Sequence, residues 1–503
     1  MARIGLAGPT YLSQSYLADN ERTVNWFPEV IESQRGPASV VLYPTPGTRS
    51  QATSGSPVTG MIEAQGKLIA AFSSVTTGIA SVNNYNSALN NIGGWAIPGD
   101  GKKVYFAASP TQLLMVSAGT GSVATIGVLS AYESIYDHGF PADVVPIMCD
   151  YSDGYFVILG DDGRFYISGL NDALSWNSLD STTQSATADL PIALAIHRRE
   201  IWLFGSKSTQ VFWDSGAASF PFQAVESGTI SHGIAAIHSH CSIDNSIFWL
   251  ASNEHGKAEV MKSDGYNPKK ISTYPIDNLI QAYTDVSDAV GWSYQMSGHN
   301  FYVLNFPTAN HTWVYDDSTN QWHEWLMWNL NNGQFDAHVG ICHAVAFGNH
   351  YIGSRVDGFA KISMSYCSDN ALSGGTQAYA YTHRLRQCAP MSNDDQKTFY
   401  RSLRLKADVA QIPTDATDLS RLSASWPNGP DIILQTSNDG GVRFGNERKK
   451  KMGKIGETRK VMKWKRLGYA INRVYRLTAN APVPYRLIEA YSGAELGFND
   501  DEA

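Results

Sequence analysis

The sequence predicts an all-β protein: a β-propeller of about six or seven blades over residues 61–375, followed by an additional C-terminal β-domain over 376–503. Three observations predict this. A unit made of a short aromatic or aliphatic strand, a Gly/Asn/Asp/Ser turn and a second strand recurs along the chain. Its first strands start about 42 to 54 residues apart, close to the period of propeller blades. Long amphipathic helical patterns are missing, and 44 Gly, 25 Tyr and 13 Trp accompany only 17% charged residues. That mixture suits pleated surfaces and tight turns.

The first 60 residues, rich in Gly, Pro and Ser, are read either as an extended arm or as part of blade closure. The repeated unit then appears as Lys67–Phe72, Gln112–Ser117, Gly154–Ile167, Glu200–Phe204 with Gln210–Trp213, Ser246–Leu250 with Ala258–Met261, Asn300–Leu304 with Thr312–Tyr315, and His350–Ile352 with Phe359–Ile362. The stretch Trp313–Trp325 is the sharpest instance and resembles the kelch pattern. Its polar Asp317-Ser-Thr-Asn320 forms the turn through side-chain bonds to the backbone. Trp202, Trp213, Trp249, Trp313, Trp322 and Trp325 are the candidate blade-packing aromatics. Asp277–Tyr283 is the best candidate for a short helix. In the C-terminal domain Arg401–Asp408 and Asp431–Thr436 read as strands, and 411–431, rich in Asp, Ser, Thr and Pro, reads as a loop.

Charge is distributed unevenly. The chain totals −8, yet 443–476 holds thirteen Lys and Arg against Glu447 and Glu457, a local +11 that leaves −19 for the remainder. The overall sign excludes a globally basic nucleic-acid binder but not a local patch. Arg443, Arg448, Lys449, Lys450, Lys451, Lys454, Arg459, Lys460, Lys463, Lys465 and Arg466 form a candidate electrostatic interface. Two partners fit it: an acidic surface on a neighbouring subunit, or nucleic acid, with Trp464 and Tyr469 interleaved among the cations.

Little in the sequence points to catalysis. No G-x-S-x-G elbow, Walker A loop or H-E-x-x-H occurs. The pairs Asp161-Asp162, Asp316-Asp317 and Asp394-Asp395 could serve as glycosidase carboxylates, but all fall in turn-like segments where Asp has a local hydrogen-bonding role. His238-Ser-His-Cys241 supplies two imidazoles and a thiol, with His238 and His240 read on one strand face and Cys241 on the other, short of the convergent set a metal needs. Cys149, Cys241, Cys342, Cys367 and Cys388 show no paired spacing and read as small buried apolar groups. Hence no enzyme activity, no metal site and no cofactor are expected. The first residues lack a signal peptide's apolar core and no run of about 18 apolar residues follows, so assembly in the cytoplasm is expected.

Two terminal segments carry a family resemblance. Asn20-Glu-Arg-Thr-Val-Asn-Trp-Phe-Pro-Glu29 with Val41–Gly47, and Leu434–Gly441 with Met452-Gly-Lys454 and Trp464–Gly468, are similar to the two ends of the tail nozzle proteins of short-tailed bacteriophages, also called packaged-DNA stabilisation proteins. The resemblance implies a structural virion component: a homo-oligomeric, hexameric ring beneath the portal and its tail adaptor. Such a ring continues or closes the channel for viral DNA and docks tail fibres or tailspikes. Ser437–Phe444 also resembles the Asp-box turn of sialidase-type propellers, which lies away from their active sites. The alternative reading is a propeller glycan-binding module or glycoside hydrolase of a phage tail, with 313–328 as an exposed tryptophan platform.

Overall fold

The computed structural model describes residues 2–33, 39–53, 55–74, 76–125, 132–217, 219–256, 258–369, 381–393, 396–408, 411–457 and 460–496. Arg459 and the pair Asp394-Asp395 lie outside them.

Antiparallel sheets radiate from a common axis. Six blades are sheets of their own, with inner strands Val58–Ala64, Tyr105–Ala108, Pro146–Ser152, Ala193–His197, Gly233–Ile234 with Cys241–Ile243, and Gly340–Ala346. A seventh, blade 6 in chain order, is made of Val290–Met296, His299–Phe306, His311–Asp316 and Gln321–Glu324; it sits between the last two of the six, and its sheet continues into the second domain. Neighbouring inner strands touch, and the strand Gly340–Ala346 packs on Val58–Ala64 to close the circle.

Middle strands lie between two neighbouring blades and are covered on both faces. Their sequences are therefore continuous apolar runs rather than alternating ones. Ile247, Phe248, Trp249, Leu250 and Ala251 all have 0% exposure. Turns follow the expected chemistry: Asp316 accepts from the Ser318 backbone N–H at 3.0 Å and the Thr319 hydroxyl at 2.8 Å, and Asn320 takes a φ of 55°.

The last blade is completed by the N-terminal strand Gly47–Ala52, antiparallel to Phe359–Ser363. The rest of the N-terminal segment enters the second domain, where two sheets enclose one core. One contains Trp26–Val30, Val40–Pro44, Leu487–Leu496, Thr398–Ala407 and Met462–Lys465 in that order. The other runs from blade 6 through Asn20–Val24, Arg384–Gln387, Val474–Ala479 and Asp431–Ser437 to Arg448–Lys451. Leu6, Trp26 and Leu42 pack with Leu403, Leu434, Trp464, Leu477 and Leu487 between the sheets. The Trp26 indole donates to the Tyr485 carbonyl at 3.0 Å.

The helix expected near 277–283 is present as Tyr274–Gln281. The loop expected over 411–431 is corrected: it contains the helix Ala416–Ser425. The Asp and Thr residues that read as turn chemistry instead begin a helix, with the Asp415 carboxylate capping the Asp418 N–H at 3.1 Å. Arg49 of the closing strand binds this helix at Asp415 (2.6 Å) and Asp418 (2.7 Å), so ring closure and second domain share an ion-pair network.

Candidate functional site

The basic segment folds as the open edge of the two-sheet domain. Arg448–Lys451 is the outermost strand of one sheet, pairing with Asp431–Ser437, and Met462–Lys465 is the outermost strand of the other, pairing with Thr398–Ala407. The two edges are stitched together. The Trp464 indole donates to the Arg448 carbonyl at 2.7 Å, and the Arg448 guanidinium donates to the Lys465 and Arg466 carbonyls at 3.2 and 3.0 Å. Cations from separated parts of the sequence thus line one margin. Lysine on an edge strand also discourages unspecific strand pairing.

Arg443, Arg448, Lys449, Lys450, Lys451, Lys454, Lys460, Lys465 and Arg466 are exposed, and Lys463 is half-buried. Local carboxylates neutralise some of them: Lys451–Asp431 at 2.7 Å, Lys460–Glu457 at 3.3 Å, Lys449–Glu447 at 3.8 Å and Arg443–Asp439 at 3.2 Å. Among the described residues Lys450, Lys454, Lys463, Lys465 and Arg466 make no ion pair, which leaves a row of uncompensated charge. Two further cations of the segment are structural. Buried Arg473 lies 4.7 Å from the Tyr400 ring and donates to the Leu467 and Gly468 carbonyls, while Arg476 lies 3.4 Å from the Phe444 ring.

The nucleic-acid version of this surface loses its aromatic support. Trp464 is 2% exposed and belongs to the core, so only Tyr469 stands open among the cations. Base stacking requires accessible ring faces. The Ser437–Phe444 segment is a tight turn: the Ser437 hydroxyl bonds Asp439 at 2.6 Å, and Gly440 and Gly441 take φ of 73° and 99°. The Arg443 N–H and the Ser437 hydroxyl hold the Asp439 carboxyl at about 2.

Of the candidate blade-packing tryptophans, Trp202, Trp249, Trp313, Trp322 and Trp325 are buried, whereas Trp213 is 46% exposed. Trp213 sits near the end of its strand, opposite exposed Gln223, where no neighbouring blade covers it. Burial of Trp313, Trp322 and Trp325 removes the exposed tryptophan platform. Local bonds also occupy the acidic pairs: Asp161 accepts from Val145 N–H, Asp162 from Arg164 N–H and the Tyr166 hydroxyl, and Asp317 pairs with Lys262.

His238 and His240 do not lie on a regular strand. His238 meets the Tyr105 hydroxyl across the propeller axis, and His240 stacks on Phe204. No group of three or more His, Cys, Asp or Glu able to hold a metal ion occurs among the described residues. All five cysteines are unbonded, Cys241 being the one not fully buried. No helix among the described residues is long and apolar enough to cross a membrane.

Comparison with known proteins adds the following. Residues 16–361 match the family model "Bacteriophage P22 Gp10, beta-propeller", and residues 390–494 match "Bacteriophage P22 Gp10, beta-sandwich". No curated protein matches the chain. Among solved structures, the N-terminal domain of Nup159 is similar at 11% identity over 68% of this chain and 98% of that one, with a TM-score of 0.43. The WD40 propeller domain of Doa1 is similar at 10% identity over 63% and 97%, with a TM-score of 0.39.

Proposed function

Because the chain belongs to the bacteriophage P22 Gp10 family, and is therefore a structural component of a phage tail and of the virion, we propose that it serves as the tail nozzle or hub. In this reading several copies, six by family resemblance, form a ring below the portal and adaptor. The ring continues or closes the channel for viral DNA and carries fibres or tailspikes. The observation that carries this reading is the uncompensated basic margin on a chain whose remainder is −19. A cyclic ring needs two different, complementary patches on every copy, and a row of unpaired cations beside a predominantly acidic body supplies them. The propeller is a rigid frame for such an assembly, with Tyr105 and His238 meeting across its own axis. The DNA path in this reading is the axis of the ring, not that of the propeller.

Electron microscopy of the purified chain with its adaptor tests the reading. A ring with an axial hole is expected, and a particle that stays monomeric alongside the adaptor would overturn it. The role of the basic margin has its own test. Lys450→Gln, Lys454→Gln and Lys465→Gln together weaken ring or adaptor association, and wild-type association declines as salt rises. In the triple variant that salt dependence becomes shallower. Sedimentation at several ionic strengths measures both, and equal association of the two proteins at every salt concentration would remove this surface from assembly.

A further inference from the structure

We propose that the axial cavity of the propeller is a binding site for one small oxyanion of the phosphate class, held by the Lys103 ammonium within a rim formed by His240, Ser242, Ser293 and His343. The cavity, about 290 Å³, opens where inner strands from five blades converge, with lining contributed by 60–62, 103–106, 240–242, 291–293 and 342–343. Tyr105 of its lining meets His238, from a blade on the opposite side of the axis.

The lining contains a lysine and no carboxylate. Lys103 makes no ion pair among the described residues; it lies 5.5 Å from the centre of the Tyr105 ring. Lys103 is half-buried, and a partly desolvated cation without a counter-charge is unfavourable, so desolvation pushes its ammonium below the ordinary range. A bound anion supplies the missing charge and restores the protonated amine.

The rest of the rim favours an oxyanion over a bare halide. Burial, together with nearby positive charge, holds His240 and His343 at about 3, so both are uncharged imidazoles at neutral pH; His343 Nε2 already faces His350 Nδ1 at 3.0 Å, which leaves His240 as the open ring. The Nε2 of His240 is buried with no hydrogen-bond partner. Ser242 lies on the same rim, held there by the Ser293 hydroxyl, which donates its own proton to the Ser242 carbonyl at 3.2 Å. One full charge beside an unpartnered neutral imidazole in a small cavity is a pattern that recognises an oxyanion. This inference does not depend on the nozzle reading.

Calorimetric titration of the full chain with inorganic phosphate tests it. One site per chain is expected. Lys103→Met weakens binding by roughly tenfold or more, the loss of a charge-assisted hydrogen bond, and Lys103→Arg retains it. Lys450→Gln on the outer margin leaves it unchanged. Absence of phosphate binding to the wild type, or equal binding by Lys103→Met, overturns the proposal. A second measurement needs no variant: acetic anhydride labelling read by mass spectrometry, in which phosphate slows acetylation of Lys103 but not of Lys450. Lys103 labelling that is indifferent to phosphate likewise overturns it.

Discussion

Replacing Arg22 by alanine destabilises the protein by about 3–5 kcal/mol, the cost of leaving one partner of a buried ion pair alone. Glu324 has a side-chain exposure of 0% and sits where blade 6 passes into the second domain through the parallel pairing of Val24 and Glu324. Arg22 reaches it from the N-terminal segment with bonds of 2.9, 3.1 and 2.7 Å, and the Thr10 hydroxyl adds a fourth at 3.5 Å. Truncating Arg22 removes the charge that makes this burial tolerable. Urea unfolding followed by tryptophan fluorescence measures the loss. A shift of the midpoint no larger than that of an exposed substitution such as Lys102→Ala would show that the pair does not hold the junction.

The same pair predicts a pH effect. Burial alone would raise the Glu324 carboxyl, but the Arg22 charge and hydrogen bonds outweigh it and hold the group below its ordinary value. A carboxyl lowered in the folded state contributes stability that is present above its unfolded pKa and is lost as pH falls through the folded value. In Arg22→Ala burial is opposed only by the Thr10 bond and by His311, 3.5 Å away, so the folded value rises and the variant loses less stability than the wild type on acidification. Unfolding midpoints of the two proteins therefore differ more at pH 7 than at pH 4.

Trp249→Ala is expected to cost about 3–5 kcal/mol, as large aromatic truncations in a packed core do. The residue is fully buried, its indole donates to the Gly233 carbonyl at 3.1 Å, and its ring meets Trp202 and Phe204 of the preceding blade at 6.4 and 5.7 Å. The truncation removes contacts between blades as well as within one. Trp213→Ala, at the exposed end of its strand, changes stability by no more than about 0.5 kcal/mol. Thermal unfolding of both variants checks the contrast, and similar losses at the two positions would contradict it.

Much of the fold was legible because local patterns carried it. The runs at 246–250, 300–304 and 350–352 are strands of the structure, as are the two read in the C-terminal domain. Their apolar continuity reflects cover on both faces, a property written into each segment alone. Helix Ala416–Ser425 was not legible. Asp, Ser and Thr satisfy backbone groups equally well in turns and at helix starts, and the Arg49 contact that favours the helix comes from a strand more than 350 residues away in sequence. The site was legible as charge and not as geometry: cation counting found the basic segment but could not assign Arg473 to the interior, Arg476 to the Phe444 ring or Trp464 to the core.

Residue order alone established the repeating strands, the all-β class and the two terminal segments that mark the family. It also located the charge between 443 and 476. Tertiary structure settled matters that depend on contacts distant in sequence. The N-terminal strand Gly47–Ala52 closes the last blade, Asn20–Val24 joins propeller to sandwich, and two edge strands align into one basic margin. It also brings Tyr105, Lys103 and His238 together at the axis. The physical reason is the range of the forces: strand propensity and turn chemistry act within a few residues, whereas sheet edges and buried charges choose partners only after the chain has brought them into contact.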